Sequence, residues 1–361
     1  MLKRILLILV GGTICTRKNE CGTLSISSEA GVMLKENYLK SDSVYADDVY
    51  IESTRDMYIL SENMTVDRWN SIIALYTESV KDGGYDGVVF AHGTDSLAYS
   101  ASLFSMLLAD TKSPVFFVSS NERLESSRSN GDANFRYAVE CICRGIEPNV
   151  YVTYKNLSDG RMYLHLGSRL RQCGNYSEDF FSVGAIDITD ISDENCGEYF
   201  AEITRDFPSE KRSPLVESSA IPELSDNILM LNPYVGLRYD AIDYTKFAAV
   251  LHGTYHSGTV CSEKAEDYGR NSVLSLLDSC ADCGDAAPDI YISPSKLCGE
   301  VYDSLPVVGL HRRDEVGVSF LYGMTQEAAY AKLVIAYSMY DDKCEIRNFM
   351  ETQINFEKIY E

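Results

Sequence analysis

Apolar residues in this chain fall into short unbroken blocks that alternate with stretches where they recur every three or four positions. Lys3 to Val10 is the first block and stops at Gly11-Gly12, followed by Thr13-Ile14. Tyr85 to Phe90 is a second block and runs into Ala91-His92-Gly93-Thr94-Asp95. Blocks of this length predict buried strands. Between them, Trp69, Ile72, Ile73, Tyr76 and Val80 share one helical face, which predicts a helix from Val66 to Lys81 with Thr65 as its N-cap. Residues 98–109 predict another helix, Pro114 to Ser119 a strand, Phe135 to Arg144 a helix and Val150 to Tyr154 a strand. Strands alternating with helices make βαβ units and a mostly parallel sheet. Residues 15–30 are polar, without either period, and predict a loop.

The pattern breaks at about 203–225, where Arg205 to Pro214 is charged and contains two prolines. A linker is expected there. Beyond it, Asn227 to Asn232, Ala248 to His252 and Asp289 to Ile292 predict strands, and Gln326 to Tyr337 a helix. The expected class is α/β: a larger N-terminal domain over 1–205 with a mostly parallel sheet, a linker over 206–225, and a smaller C-terminal α/β domain over 226–361. No repeat or low-complexity segment is present.

Length and composition agree with two domains: 361 residues, 45% hydrophobic and 24% charged. The net charge of −22 argues against nucleic-acid and anionic-membrane partners, which are polyanions. Eleven cysteines, an odd number without regular spacing, together with an apolar start too short for a signal-peptide core, lead us to expect a cytoplasmic protein with free thiols. Cys280 and Cys283 form a CxxC, but no partner pair has ligand spacing, so no metal and no cofactor are expected.

The candidate chemistry lies where the first two blocks end. Both present a threonine after a glycine turn, and Thr94-Asp95 adds a carboxylate just before a helix N-terminus. In an open parallel sheet, ligands bind at that carboxyl edge. Two hydroxyls and a carboxylate suit acyl transfer. Taken singly, a threonine after Gly-Gly is more often a helix N-cap. A dinucleotide-binding reading of Gly11-Gly12 lacks the third glycine of G-x-G-x-x-G. His252, His256 and Ser257 offer a Ser/His pair, but a loop with incidental histidines is the simpler reading.

Gly11-Gly12-Thr13-Ile14 and His92-Gly93-Thr94-Asp95-Ser96-Leu97 resemble the two signature motifs of the bacterial-type asparaginase/glutaminase family, type I-like. Ser61-Glu62-Asn63-Met64-Thr65, Arg128-Ser129-Asn130-Gly131 with Asn134, Leu251 to Thr259, and Gly323 to Ala329 with Lys332-Leu333 resemble later family segments, in family order. The resemblance spans nearly the whole chain. It implies hydrolysis of a side-chain amide of asparagine, glutamine or a related small molecule, with Thr13 and Thr94 as the reactive hydroxyls and Asp95 orienting Thr94. Gly12, Ser61, Glu62, Gly93, Thr94 and Asp95 would bind the substrate. It also implies a homodimer or homotetramer and a lid over residues 15–30. Two departures stand out. Thr23 occupies the position of the family's lid tyrosine, and Gln172 that of the lysine paired with the second motif. Glutamine can orient a hydroxyl but cannot act as a cationic acid or a neutral-amine base. Weakened catalysis is therefore expected, and a non-catalytic binder of an amino-acid-like ligand is the alternative.

Overall fold

The structure is a computed structural model describing the chain except residues 1, 19–23, 28, 204, 206–211, 264–268, 296–301, 303, 311–316 and 360–361. It divides into two compact units: residues 1–224 with 353–356, and residues 225–352 with 357–361.

The first unit is built on a seven-stranded sheet. Its chain-order strands are β1 (Lys3–Leu9), β2 (Thr16–Lys18), β3 (Leu24–Ile26), β4 (Val49–Ser53), β5 (Gly87–Ala91), β6 (Val115–Val118), β7 (Val150–Lys155), β8 (Met162–Leu166), β9 (Leu170–Arg171), β10 (Phe181–Ser182) and β11 (Ile186–Asp187). Across the sheet the order is β11-β8-β7-β6-β5-β1-β4. The pairs from β4 to β7 are parallel, while β8 and β11 join antiparallel. The central strands are apolar throughout because both sheet faces are covered. On one face Ile5, Leu7, Val89, Phe116 and Val118 pack with Leu34 and Tyr38 of α1 (Glu29–Leu39). Phe135, Ala138 and Ile142 of α4 (Gly131–Cys143) complete that layer.

On the opposite face lie α2 (Val66–Val80) and α3 (Leu97–Leu107). Phe90 stacks on Phe117 at 4.6 Å between centroids and meets Phe104 at 5.1 Å, and Tyr76 stacks on Phe90 at 5.9 Å. Trp69 Nε1 donates to Ser100 Oγ at 2.9 Å, tying α2 to α3. Thr65 caps α2 by accepting from Arg68 N.

Two features differ from the periodicity reading. Residues 15–30 are not wholly irregular: β2 and β3 pair antiparallel. The alternating residues 49–53 form β4, an edge strand with only Val49 and Ile51 buried.

The second unit carries β12 (Ile228–Leu231), β13 (Ala249–His252), β14 (Asp289–Ser295) and β15 (Val318–Tyr322), parallel and in sequential order. Its core joins β13 and β14 to Val273, Leu274 and Leu277 of α6 (Val273–Ala281). In α8 (Gln326–Met339), Lys332 pairs with Glu357 at 2.6 Å, and neither side chain is exposed. Such a pair is costly to break by removing one partner.

The C-terminal residues Gln353–Phe356 belong to the first unit. Asn355 Nδ2 donates to Ser105 O at 2.7 Å and to Asn149 Oδ1 at 2.8 Å. The buried Arg169 donates from Nε to Phe356 O. Of the expected linker, residues 206–211 lie outside the described residues, and 212–224 group with the first unit. Among the described residues, no helix is long and apolar enough to cross a membrane.

The aromatic cluster sets one expectation. Phe117→Ala removes a ring that packs on both Phe90 and Phe104, and should cost roughly 3–5 kcal/mol. Urea unfolding followed by far-UV circular dichroism tests this, and a loss below about 1 kcal/mol would contradict the packing described.

Candidate active site

The sheet order places a topological switch point at β1 and β5. The chain leaves β1 for β4 on one side, and β5 lies on the other side with β6 and β7 beyond it. Neighbouring connections diverge there, which opens a crevice at the strand carboxyl ends. Gly11-Gly12 and Gly93 occupy that crevice.

The two turns abut, and only glycine allows it. Gly12 has φ +74°, and a Cβ there would stand 2.0 Å from the Gly93 Cα. A Cβ on Gly93 would stand 2.3 Å from Ser61 Oγ and 2.9 Å from the Gly12 Cα. Backbone bonds hold the approach: Val10 N and Gly11 N donate to Ala91 O, and Gly12 N donates to Ile59 O. The segments carrying Thr13, Ser61 and Thr94 therefore meet at one point.

Around that point, Ser61 Oγ donates to Asp95 Oδ2 at 3.0 Å and accepts from Asp95 N at 3.2 Å. Ser96 Oγ donates to Ser61 O at 2.8 Å. Ser61 is buried, Thr13 and Thr94 are half-buried, and Glu62 and Asp95 are exposed. Gln172 lies against the same turn: Nε2 donates to Thr94 O at 2.7 Å, and Oε1 accepts from Ala98 N at 3.3 Å in the first turn of α3. Its amide uses both faces, and a lysine has no acceptor to offer Ala98.

A cavity of about 680 Å³ opens here, with Glu62, Thr94, Asp95 and Gln172 on its wall. Thr13, Gly12, Gly93 and Ser61 are not part of that wall; they form the abutting turns. Thr23 lies outside the described residues. The rest of the wall went unread in the sequence: Asn121, Tyr154 and the segment from Cys173 to Phe180. That segment is held from behind. Phe180 N donates to Asn156 Oδ1, and Asp179 Oδ1 accepts from Leu157 N at 2.7 Å. Asn130 exchanges two 3.0 Å bonds with Asn121, and Asn134 ties Ser119 to Lys155. These asparagines position the wall from behind. Burial, then the nearby Asp95 carboxylate, raises the Cys173 thiol above its ordinary value, opposed by the hydrogen bond from Gln172. Burial pushes the Tyr154 phenol up to about 12.

In the second unit, His252 is buried, with Nε2 2.7 Å from Tyr239 OH and Nδ1 bonded to Gly253 O. Burial lowers its pKa to about 4. Ser257 Oγ meets Thr259 Oγ1 at 3.3 Å, and His256 is exposed. His252 is thus committed to a structural bond and is not paired with Ser257.

Fold and site together define an α/β protein with a cavity beside two abutting glycine-threonine turns. The family model described as asparaginase, N-terminal, matches residues 4–200, and the chain belongs to the asparaginase family. L-asparaginase of Thermococcus kodakarensis is 26% identical over 358 residues, covering 97% of this chain and 98% of that protein. A glutamyl-tRNA(Gln) amidotransferase component of Haloquadratum walsbyi is 28% identical over 256 residues, covering 68% of this chain. This chain spans only 53% of that relative's length. The solved structure of the thermostable L-asparaginase from Thermococcus kodakarensis superposes with a TM-score of 0.71 at 22% identity, covering 99% and 100% of the two chains. L-asparaginase I from Vibrio cholerae gives 0.68 at 20% identity, covering both chains fully.

Two outcomes are expected. Gly12→Ala must relieve both a left-handed φ and a backbone clash, and should destabilise by about 2 kcal/mol or more. Gly83→Ala, at φ +67° with nothing within 4 Å, should lose only the conformational part. Equal losses in urea would show that the two turns do not abut. The second outcome concerns His92, which is buried with Nδ1 against Gly93 O at 2.8 Å and a pKa lowered to about 4, mainly by burial. Its folded pKa lies below the unfolded 6.5, so the folded state binds fewer protons. The resulting stability is present above about pH 6.5 and is lost as pH falls toward 4. His92→Gln should reduce the slope of that part of the stability–pH profile, the rest of which comes from the buried His165 and His252, whereas an unchanged slope would contradict the burial argument.

Proposed function

We propose that this chain is an asparaginase-like amidohydrolase that cleaves a side-chain amide of asparagine, glutamine or a related small molecule through a threonine nucleophile. The observation carrying this reading is the abutment of the Gly12-Thr13 and Gly93-Thr94 turns at the switch point, with Ser61 bonded to Asp95 beside them. A relative named L-asparaginase that aligns over nearly the whole chain supports it.

In this reading a threonine Oγ attacks the amide carbonyl carbon, and its proton passes to the departing nitrogen, which leaves as ammonia. Water then cleaves the threonine ester to the free acid. In this reading backbone N–H groups of the Thr94 turn, on the cavity wall, supply donors for the oxyanion, and the Ser61 hydroxyl orients Asp95. Asp95 and Glu62 hold the substrate's amino group. Gln172 holds the Thr94 turn against the start of α3 but supplies no base, and proton transfer of this kind is worth about 10²–10⁴ in rate. Turnover is therefore slow relative to family members that carry the lysine.

The glutamine also supports a second reading, a family member that binds an amino-acid-like ligand without turning it over. In either case we expect a homodimer or homotetramer, which light scattering at micromolar concentration tests, since a monomer mass would contradict it.

Ammonia release separates the readings. The parent should be slow, Thr94→Ala inactive, and Gln172→Lys faster than the parent. The lysine also leaves Ala98 N without its acceptor, at about 1 kcal/mol of stability. Parent activity untouched by Thr94→Ala would place the chemistry elsewhere.

A further inference from the structure

Asn121 lines the cavity and has no part in the chemistry above. Its amide is held firmly at one end only. Asn121 N donates to Asn130 Oδ1 at 3.0 Å, and Asn130 N donates to Asn121 Oδ1 at 3.0 Å. Asn130 is itself buried and anchored, with Nδ2 donating to Lys155 O at 2.8 Å. Because Asn130 N needs an acceptor, the Asn121 side-chain oxygen faces Asn130 and its Nδ2 faces away. Nδ2 carries two protons and meets two distant acceptors, Glu178 Oε2 at 3.3 Å and Arg128 O at 3.4 Å. Both lie beyond the usual range of about 2.7–3.2 Å. Glu178 is exposed and lines the same cavity. A donor of fixed orientation costs little side-chain entropy to engage, and a long contact to an exposed carboxylate is readily exchanged for a ligand oxygen.

The sheet order indicates which part of a ligand reaches this donor. β4, β1, β5 and β6 are consecutive neighbours. Ser61 and Glu62 follow β4, Thr94 and Asp95 follow β5, and Asn121 follows β6. Glu62, Thr94 and Asn121 therefore succeed one another across the carboxyl edge of the sheet. A substrate whose amino group lies at Asp95 and Glu62 points its far end past Thr94 toward Asn121. In asparagine that far end is the side-chain amide. Its carbonyl oxygen has two lone pairs, one for an N–H of the Thr94 turn and one for Asn121.

We propose that Asn121 Nδ2 donates to the carbonyl oxygen of the substrate's side-chain amide, and that Glu178 accepts from this donor until substrate enters. Asn121 is then a substrate-binding residue that sets the amide toward Thr94, and Glu178 is a built-in competitor for it. The proposal rests on the cavity being the substrate site of the preceding reading, and its test reads binding separately from turnover.

The probes are L-asparagine and L-2-aminobutyrate, which share the amino-acid end and differ in the side-chain carbonyl. Their affinities are measured by titration calorimetry at neutral pH in the Thr94→Ala background, so that neither is consumed. Asn121→Ala should weaken L-asparagine about threefold to tenfold, the worth of one hydrogen bond, and leave L-2-aminobutyrate unchanged. Glu178→Ala keeps both bonds between Asn121 and Asn130, and should tighten L-asparagine about twofold or more by removing the competitor. Added to Asn121→Ala it should bring no gain, because the donor it frees is gone. Unchanged L-asparagine affinity in Asn121→Ala, or equal weakening of both probes, would overturn the proposal. So would no gain from Glu178→Ala, a gain that persists without Asn121, or no binding of L-asparagine at millimolar concentration. Ammonia release from L-asparagine by the protein with Thr94 intact reports separately on the hydrolase reading. Release together with binding indifferent to Asn121 would leave that reading standing and refute this inference. Binding that depends on Asn121 without release would do the reverse.

Discussion

The site depends on one close approach, the contact between the Gly12 and Gly93 backbones where β1 and β5 end. Each glycine removes a Cβ that would lie inside the other turn. The approach is made by neighbouring parallel strands in register, Ile8 opposite Phe90 and Leu9 opposite Ala91. The register is in turn held by cores on both faces of the sheet, because a one-residue slip would send Phe90 from the aromatic layer into the α1–α4 layer. Core packing and site geometry are thus one constraint. Anything that loosens the sheet between β1 and β5 separates the residues that meet there.

Around that contact, most groups hold other groups in place. The Ser61 hydroxyl meets both the side chain and the backbone N–H of Asp95, Gln172 bridges Thr94 to α3, and Asn130 and Asn134 fix the loop that presents Asn121. Polar groups buried or half-buried in pairs of this kind rigidify a site when every member is satisfied. The exposed members, Glu62 and Asp95, face the cavity, and Glu178 joins them on its wall.

Much of this was legible in the sequence because unbroken apolar runs ending at glycine have few alternatives. The strands around β1, β5, β6, β7, β13 and β14 and the helices α2, α3, α4 and α8 announce themselves by composition or period. α1 does not, since its buried face is carried partly by Ala30 and Gly31, and Gly31 is there to let Leu9 approach. The antiparallel return through β8 and β11 uses short strands that sequence periodicity does not separate from loop. The return of Gln353–Phe356 to the first unit combines polar contacts by Asn355 and Arg169 with burial of Ile354 and Phe356, in a stretch too short to show a period. At the site, Thr13, Ser61, Thr94, Asp95 and Gln172 lie next to recognisable turns. The wall from Cys173 to Phe180 is a polar loop defined only by what it folds against, so its carboxylate and aromatic side chains emerged from the structure.

The central claim is that amide cleavage proceeds through an ester on a threonine of the two turns. Acid-quenching the protein during turnover of L-asparagine, followed by intact-mass and peptide-mapping mass spectrometry, tests it most directly. The account predicts an acyl adduct on the peptide containing Thr13 or the peptide containing Thr94, lost in the corresponding alanine variant. Ammonia release with the adduct on another residue, such as Ser257 or Cys173, would contradict it.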